Sequence, residues 1–73
     1  MGTKTSKYNK LCGLNVKLAR TKFGLTQEEL AEKADLTRDT ISAIERGIKS
    51  PTVATVGAIA DALGIDMYKL FIF

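Results

Sequence analysis

Residues 27–46, QEELAEKADLTRDTISAIER, decide the fold. Leu30, Ala31, Ala34, Leu36, Ile41 and Ile44 place apolar side chains at the spacing of two short amphipathic helices with a tight turn between them. Ala31 is small enough to let a second helix cross closely, and Leu36 is placed to plug the turn. Asp35 sits in the turn, where a left-handed backbone is often needed, a conformation Asp tolerates better than most residues other than Gly and Asn.

The flanking residues extend this pattern. Thr26 and Glu29 form a Thr-x-x-Glu capping box ahead of a helix expected over about Gln27–Ala34. Two acids in its first turn suit the positive end of the helix dipole. Thr37 caps the next helix, which runs to about Arg46, and Gly47 suits the position after it. Upstream, Cys12, Val16, Ala19 and Phe23 recur at helical spacing from about Asn9 to Phe23, and Gly24 ends that segment. Leu11, Leu14 and Leu18 form a second stripe, so this helix is expected to be covered on two sides. Gly13 inside it costs about 1 kcal/mol relative to Ala, which points either to close packing or to a late start. Downstream, Thr52 is the preferred N-cap over Ser50 with Pro51, and Val53, Val56, Ile59, Ala60 and Leu63 face inward. Gly64 stops that helix, and Asp66 caps a last short one ending near Phe71. Residues 1–8 read as a flexible basic arm and 9–73 as a single domain. The pattern is all-α: five helices and no sheet.

Composition narrows the functions available. A chain of 73 residues buries only about 60% of its unfolded surface, so the core must be compact. Cys12 has no partner for an internal disulfide, and no His or Cys cluster could hold a metal or suggests a cofactor. A lone thiol and no apolar leader or span of about 18 residues fit a cytoplasmic protein rather than a secreted or membrane one. Met1–Ser6 matches a loose myristoylation pattern, with Lys4 and Lys7 as a basic second signal, against the simpler reading of an unmodified tail. With no His, one Cys and no paired carboxylates, an enzyme is not expected. The net charge of +3 is unevenly spread: residues 1–22 carry Lys4, Lys7, Lys10, Lys17, Arg20 and Lys22 and no acid. One end is therefore suited to an anionic partner.

The segment quoted above has the spacing of a helix-turn-helix, whose second helix is shaped to enter the major groove of DNA. On a wheel at 100° per residue, Ile41 and Ile44 define its buried side. Asp39, Ser42, Ala43 and Arg46 point away, with Arg38 on the flank. Arg38 could grip guanine with two hydrogen bonds, Asp39 could accept from a cytosine amino group, and Ser42 could reach either kind of edge. Ala43 and the Thr37 methyl could touch thymine methyls. The competing reading is an ordinary solvated polar face. Gln27, at the head of the preceding helix, could bond a phosphate, reach a base or brace the recognition helix. Thr26, Arg46, Lys49 and Ser50 are candidates for phosphate contacts, which position but do not specify. Lys4, Lys7 and Lys10 could follow the backbone as a mobile arm. Arg20 and Glu45 lie beside the apolar stripes of their own helices, so an ion pair between them would tie the first helix to the third.

From about Val16 to Phe71 the chain resembles the Cro/phage-repressor (XRE-like) helix-turn-helix family. The residues that carry the resemblance are Arg20, Gly24–Gln27, Glu29–Ala31, Ile41–Ser42, Ile44–Gly47, Ser50–Thr52 and Ala60–Ile65. It implies a compact five-helix, lambda-repressor-like domain that binds operator DNA through its third helix, usually as a two-fold dimer. It also implies a buried Arg20–Glu45 pair. Residues 36–42 together with 44–47 are similar to the controller proteins of restriction–modification systems. The family usually has Gly or Asn where this chain has Asp35, which predicts slight strain in the turn. The apolar C-terminus would serve a homodimer through Tyr68, Ile72 and Phe73, with Ile65 at the margin, while Leu70 and Phe71 fold back on Leu14 or Leu18; the alternative is that the whole tail folds onto the first helix of its own chain. The alternative function is a protein-interaction adaptor or antitoxin on the same helices. No small-molecule pocket is evident in the pattern.

Overall fold

A computed structural model describes residues 3–73, with side chains from Ser6 onward. The Met1–Gly2 start of the myristoylation pattern and the side chain of Lys4 lie outside the described residues. The chain forms α1 (Thr3–Lys22), α2 (Gln27–Ala34), α3 (Arg38–Glu45), α4 (Val53–Leu63) and a closing 3-10 helix, η1 (Met67–Phe71). No strand occurs among the described residues. The fifth expected α-helix is therefore corrected to a 3-10 turn. Asp66 occupies its N-cap position, but the Asp66 side chain makes no capping hydrogen bond, and only five residues follow before the backbone opens at Ile72. Too short and uncapped, it stays in the tighter form typical of brief helices.

Helix α1 begins at Thr3 rather than near Asn9. The sequence before Asn9 lacks apolar periodicity, so nothing in the pattern distinguished a solvated helical turn from an arm. Gly13 settles the two readings of its position in favour of close packing. A Cβ there would stand 2.0 Å from the carbonyl oxygen of Ile44, so only glycine lets α1 cross the end of α3 at this distance. Gly47 makes a second close approach. Its φ is +75°, and a Cβ would meet the Lys10 backbone Cα at 2.8 Å.

The local stops and starts follow elementary chemistry. Thr26, Thr37 and Thr52 each accept a hydrogen bond from the backbone N–H three residues on, at 3.0–3.1 Å. Such caps are each worth about 1 kcal/mol. Thr26 and Glu29 close the box reciprocally. Asp35 adopts φ 58°, ψ 43°, and is the one non-glycine residue with positive φ among those described. Its N–H returns to the carbonyls of Ala31 and Glu32, which offsets the cost of that conformation.

Helices α1, α2, α3 and α4 close around Val16, Leu30, Ile41, Ile44, Val56 and Ile59, and η1 seals the core with Leu70. Each of these side chains is almost fully enclosed, and burial of one contributes about 1.5–3 kcal/mol. Burial also pushes the Cys12 thiol up from its ordinary pKa, leaving it neutral beside the core.

The second stripe of α1 departs from expectation. Leu14 and Leu18 remain 48% and 55% exposed, so α1 is covered on one side only. Leu70 is buried in the core cluster that also holds Val16, while Leu14 and Leu18 stay outside that cluster and Phe71 is 45% exposed. Phe23, expected on the inner stripe, is half-exposed where α1 runs out at Lys22.

Candidate nucleic-acid interface

Helix α3 is held from two sides. Ile41 and Ile44 anchor its inner face in the core. At its carboxyl end, Arg20 reaches across from α1 and grips Glu45 with Nε to Oε2 at 2.6 Å and Nη2 to Oε1 at 3.0 Å. The side chains are 11% and 3% exposed. The remaining Arg20 Nη1 donates to the carbonyl of Leu25 at 2.7 Å, satisfying the guanidinium in three directions. Hydrogen bonding to Glu45 raises the Arg20 pKa further, so the cation is permanent. Two-point Arg–carboxylate pairing fixes orientation as well as distance.

Gln27 joins the same cluster. Its amide Nε2 donates to Glu45 Oε1 at 3.0 Å, so one carboxylate ties α1, α2 and α3 together. Of the three uses open to Gln27, the structure displays the brace, with the residue as a whole half-buried.

The other end of α3 is free. Arg38 and Asp39 are exposed in its first turn, and Thr37 stands exposed at the cap. The Thr37 hydroxyl accepts from the Thr40 N–H at 3.1 Å and shares a hydrogen bond with the Thr40 hydroxyl. Ser42 and Ala43, one turn further on, are half-buried rather than fully outward. Arg46 is exposed and its Nε folds back onto the Ser42 carbonyl at 3.3 Å. Lys49 and Ser50 lie exposed in the α3–α4 loop.

Thr26, at the head of α2, spends its N–H on Glu29 while its hydroxyl accepts from the Glu29 N–H. The hydroxyl proton is still available to an external acceptor. These bonds to Thr26 hold the Glu29 carboxyl below its ordinary pKa of 4.5, first through the backbone N–H. Among the described residues no group of His, Cys, Asp and Glu could hold a metal ion, and no helix is long and apolar enough to cross a membrane.

At the C-terminus, Tyr68, Ile72 and Phe73 are 61%, 62% and 57% exposed, while Ile65 is half-buried against the core. The Phe73 ring lies 6.1 Å from the ring of Tyr8 on α1. Asn15 pins this tail, donating to the carbonyls of Leu70 at 3.1 Å and Ile72 at 2.9 Å. Sequence reasoning passed over Asn15. A lone amide lying between two apolar stripes was the available signal.

Known proteins share this architecture. The Helix-turn-helix family model matches residues 16–70. An HTH-type transcriptional regulator of Sinorhizobium fredii is 39% identical over 61 residues, 84% of this chain and 79% of that protein. The immunity repressor of Bacillus phage phi105 is 44% identical over 55 residues; the match takes in 75% of this chain but only 38% of the repressor. The crystal structure of the restriction–modification controller protein C.AhdI from Aeromonas hydrophila superimposes with a TM-score of 0.85 at 32% identity, covering 86% of this chain and 96% of that one. The chain belongs to the Cro/phage-repressor (XRE-like) helix-turn-helix family of transcriptional regulators.

Proposed function

We propose that this protein is a sequence-specific DNA-binding regulator whose helix-turn-helix is formed by α2 and α3, with α3 reading the major groove. The observation that carries the proposal is the contrast along α3. Its last turn is clamped through Glu45, and its first turn holds out Arg38 and Asp39 with no hydrogen-bond partner for either side chain among the described residues. A recognition helix contacts bases mainly through its N-terminal residues. Arg38 reads guanine, and Asp39 accepts from a neighbouring cytosine amino group, which offsets its repulsion from phosphates. Ser42, Ala43 and the Thr37 methyl contribute secondary base contacts. Thr26, Arg46, Lys49 and Ser50 contact phosphates, with Arg46 releasing the Ser42 carbonyl to do so. Gln27 keeps its brace and offers its carbonyl to a base edge.

One domain covers one half-site. Two copies related by a two-fold axis, joined through Tyr68, Ile72 and Phe73 with Ile65 at the edge, read half-sites about 34–36 Å apart on a pseudo-palindrome. The exposed apolar tail supports this arrangement. The similarity to C.AhdI, a restriction–modification controller protein, supports a regulatory role of the same kind.

Salt titration of duplex binding tests the proposal. Affinity should fall with a log–log slope of about −0.9 for each phosphate neutralised. A flat titration, or binding only to another polypeptide, would favour the adaptor reading instead.

A further inference from the structure

Helix α1 is apolar on two opposite sides, and the protein uses only one. At 100° per residue, Val16 lies across the helix from the row Leu11, Leu14 and Leu18. Val16 is fully buried, whereas Leu14 and Leu18 are about half-exposed and Leu11 is half-buried. Both flanks of this row are occupied. On one, Gly13 abuts the backbone carbonyls of Ile44 and Glu45; on the other, Asn15 holds the carbonyls of Leu70 and Ile72. Between these flanks Leu14 and Leu18 are left about half-exposed. The row spans about two turns, or roughly 10 Å. Lys7, Lys10, Lys17 and Lys22 stand exposed around it, and α1 contains no acidic residue.

We propose that this row is a docking surface for an acidic amphipathic helix of another protein. The leucines receive its apolar side at the i, i+3, i+7 spacing of helix-to-helix recognition, and the surrounding lysines meet its carboxylates. Charge decides the occupant. A second copy's α1 would set lysine against lysine, which specific interfaces avoid. Helix α2 is acidic at Glu28, Glu29 and Glu32, but Leu30, Ala31 and Ala34 are spent in its own core, so a second copy offers no acidic helix with an apolar side. A lipid surface would require α1 to sink to its flanks, and α3 and η1 hold both. Neither Leu14 nor Leu18 belongs to the helix assigned to DNA, so the two surfaces can act at once.

The full chain is titrated against two synthetic helical peptides, each with a leucine row, one flanked by glutamates and the other by lysines. The glutamate peptide should bind saturably and the lysine peptide at least about tenfold more weakly. A Leu14→Gln/Leu18→Gln variant changes only half-exposed side chains outside the core cluster, so it should stay folded and keep its DNA affinity while losing at least about tenfold in affinity for the glutamate peptide. In the wild-type chain, amide resonances of Leu11, Leu14 and Leu18 should shift on binding, which does not depend on any variant. Equal binding of both peptides, no binding, or shifts confined to another face would overturn the proposal. So would self-association abolished by the double substitution, or preferential binding to phosphatidylserine vesicles.

Discussion

The two ends of α3 are built on opposite principles. At its carboxyl end the Glu45 carboxylate is committed: it is shared between Arg20 and Gln27, and the Ile44 carbonyl faces Gly13 of α1. At its amino end the backbone is capped by Thr37, yet the side chains of Arg38 and Asp39 are exposed and uncommitted. A helix must be fixed before its free groups can discriminate, because a loose platform would spend binding energy on ordering. In the DNA-reading role proposed for α3, the clamped end supplies the rigidity and the open end supplies the chemistry.

Breaking the clamp should produce the largest effect. Glu45→Ala leaves Arg20 buried with only the Leu25 carbonyl and is expected to cost about 3 kcal/mol of stability, read as a lower urea midpoint. DNA affinity should fall with it. Gly13→Ala drives a methyl against the Ile44 carbonyl and should cost about 2 kcal/mol, even though Ala is the better helix former. Melting temperature at equal buffer conditions checks this. If Gly13→Ala is stabilising, the close crossing of α1 and α3 is wrong.

The open end should behave in the reverse manner. Arg38→Ala is expected to change stability by less than about 0.5 kcal/mol, as exposed substitutions do. It should nevertheless cost about 1–3 kcal/mol in binding to the preferred duplex. Lys49→Ala should weaken all duplexes nearly alike and lower the salt slope by about 1.

The smallest effect concerns pH at the head of α2. Glu29 has a folded pKa below its unfolded value, so the capping box stabilises fully above the unfolded pKa and loses that contribution as pH falls through the folded one. Melting of wild type and Glu29→Gln should therefore differ at neutral pH and converge in acid. A gap that widens on acidification would contradict the sign.

The features legible in the sequence were those governed by local rules. Thr26, Glu29, Thr37 and Thr52 announced helix starts because a capping hydrogen bond spans three residues, and Asp35 announced the turn because few residues accept its backbone. The Arg20–Glu45 contact was also readable, from two charges placed beside apolar stripes. What stayed hidden depends on three-dimensional neighbours. Leu14 and Leu18 repeat like core residues, but periodicity records apolar character and not the presence of a covering element. Gln27 offers the same amide to a phosphate, a base or Glu45, and only the arrival of α3 beside it favours the brace. The 3-10 form of residues 67–71 was equally invisible, since an Asp at the N-cap position looks the same whether or not it bonds.

The central claim is tested most directly by selecting bound duplexes from a random pool with the wild-type chain and again with Arg38→Ala. The expected result is a conserved wild-type site in which the variant relaxes a single base-pair position per half-site, leaving the rest intact. An identical site for both proteins, or no enriched site for the wild type, would contradict the assignment of the first turn of α3 to base reading.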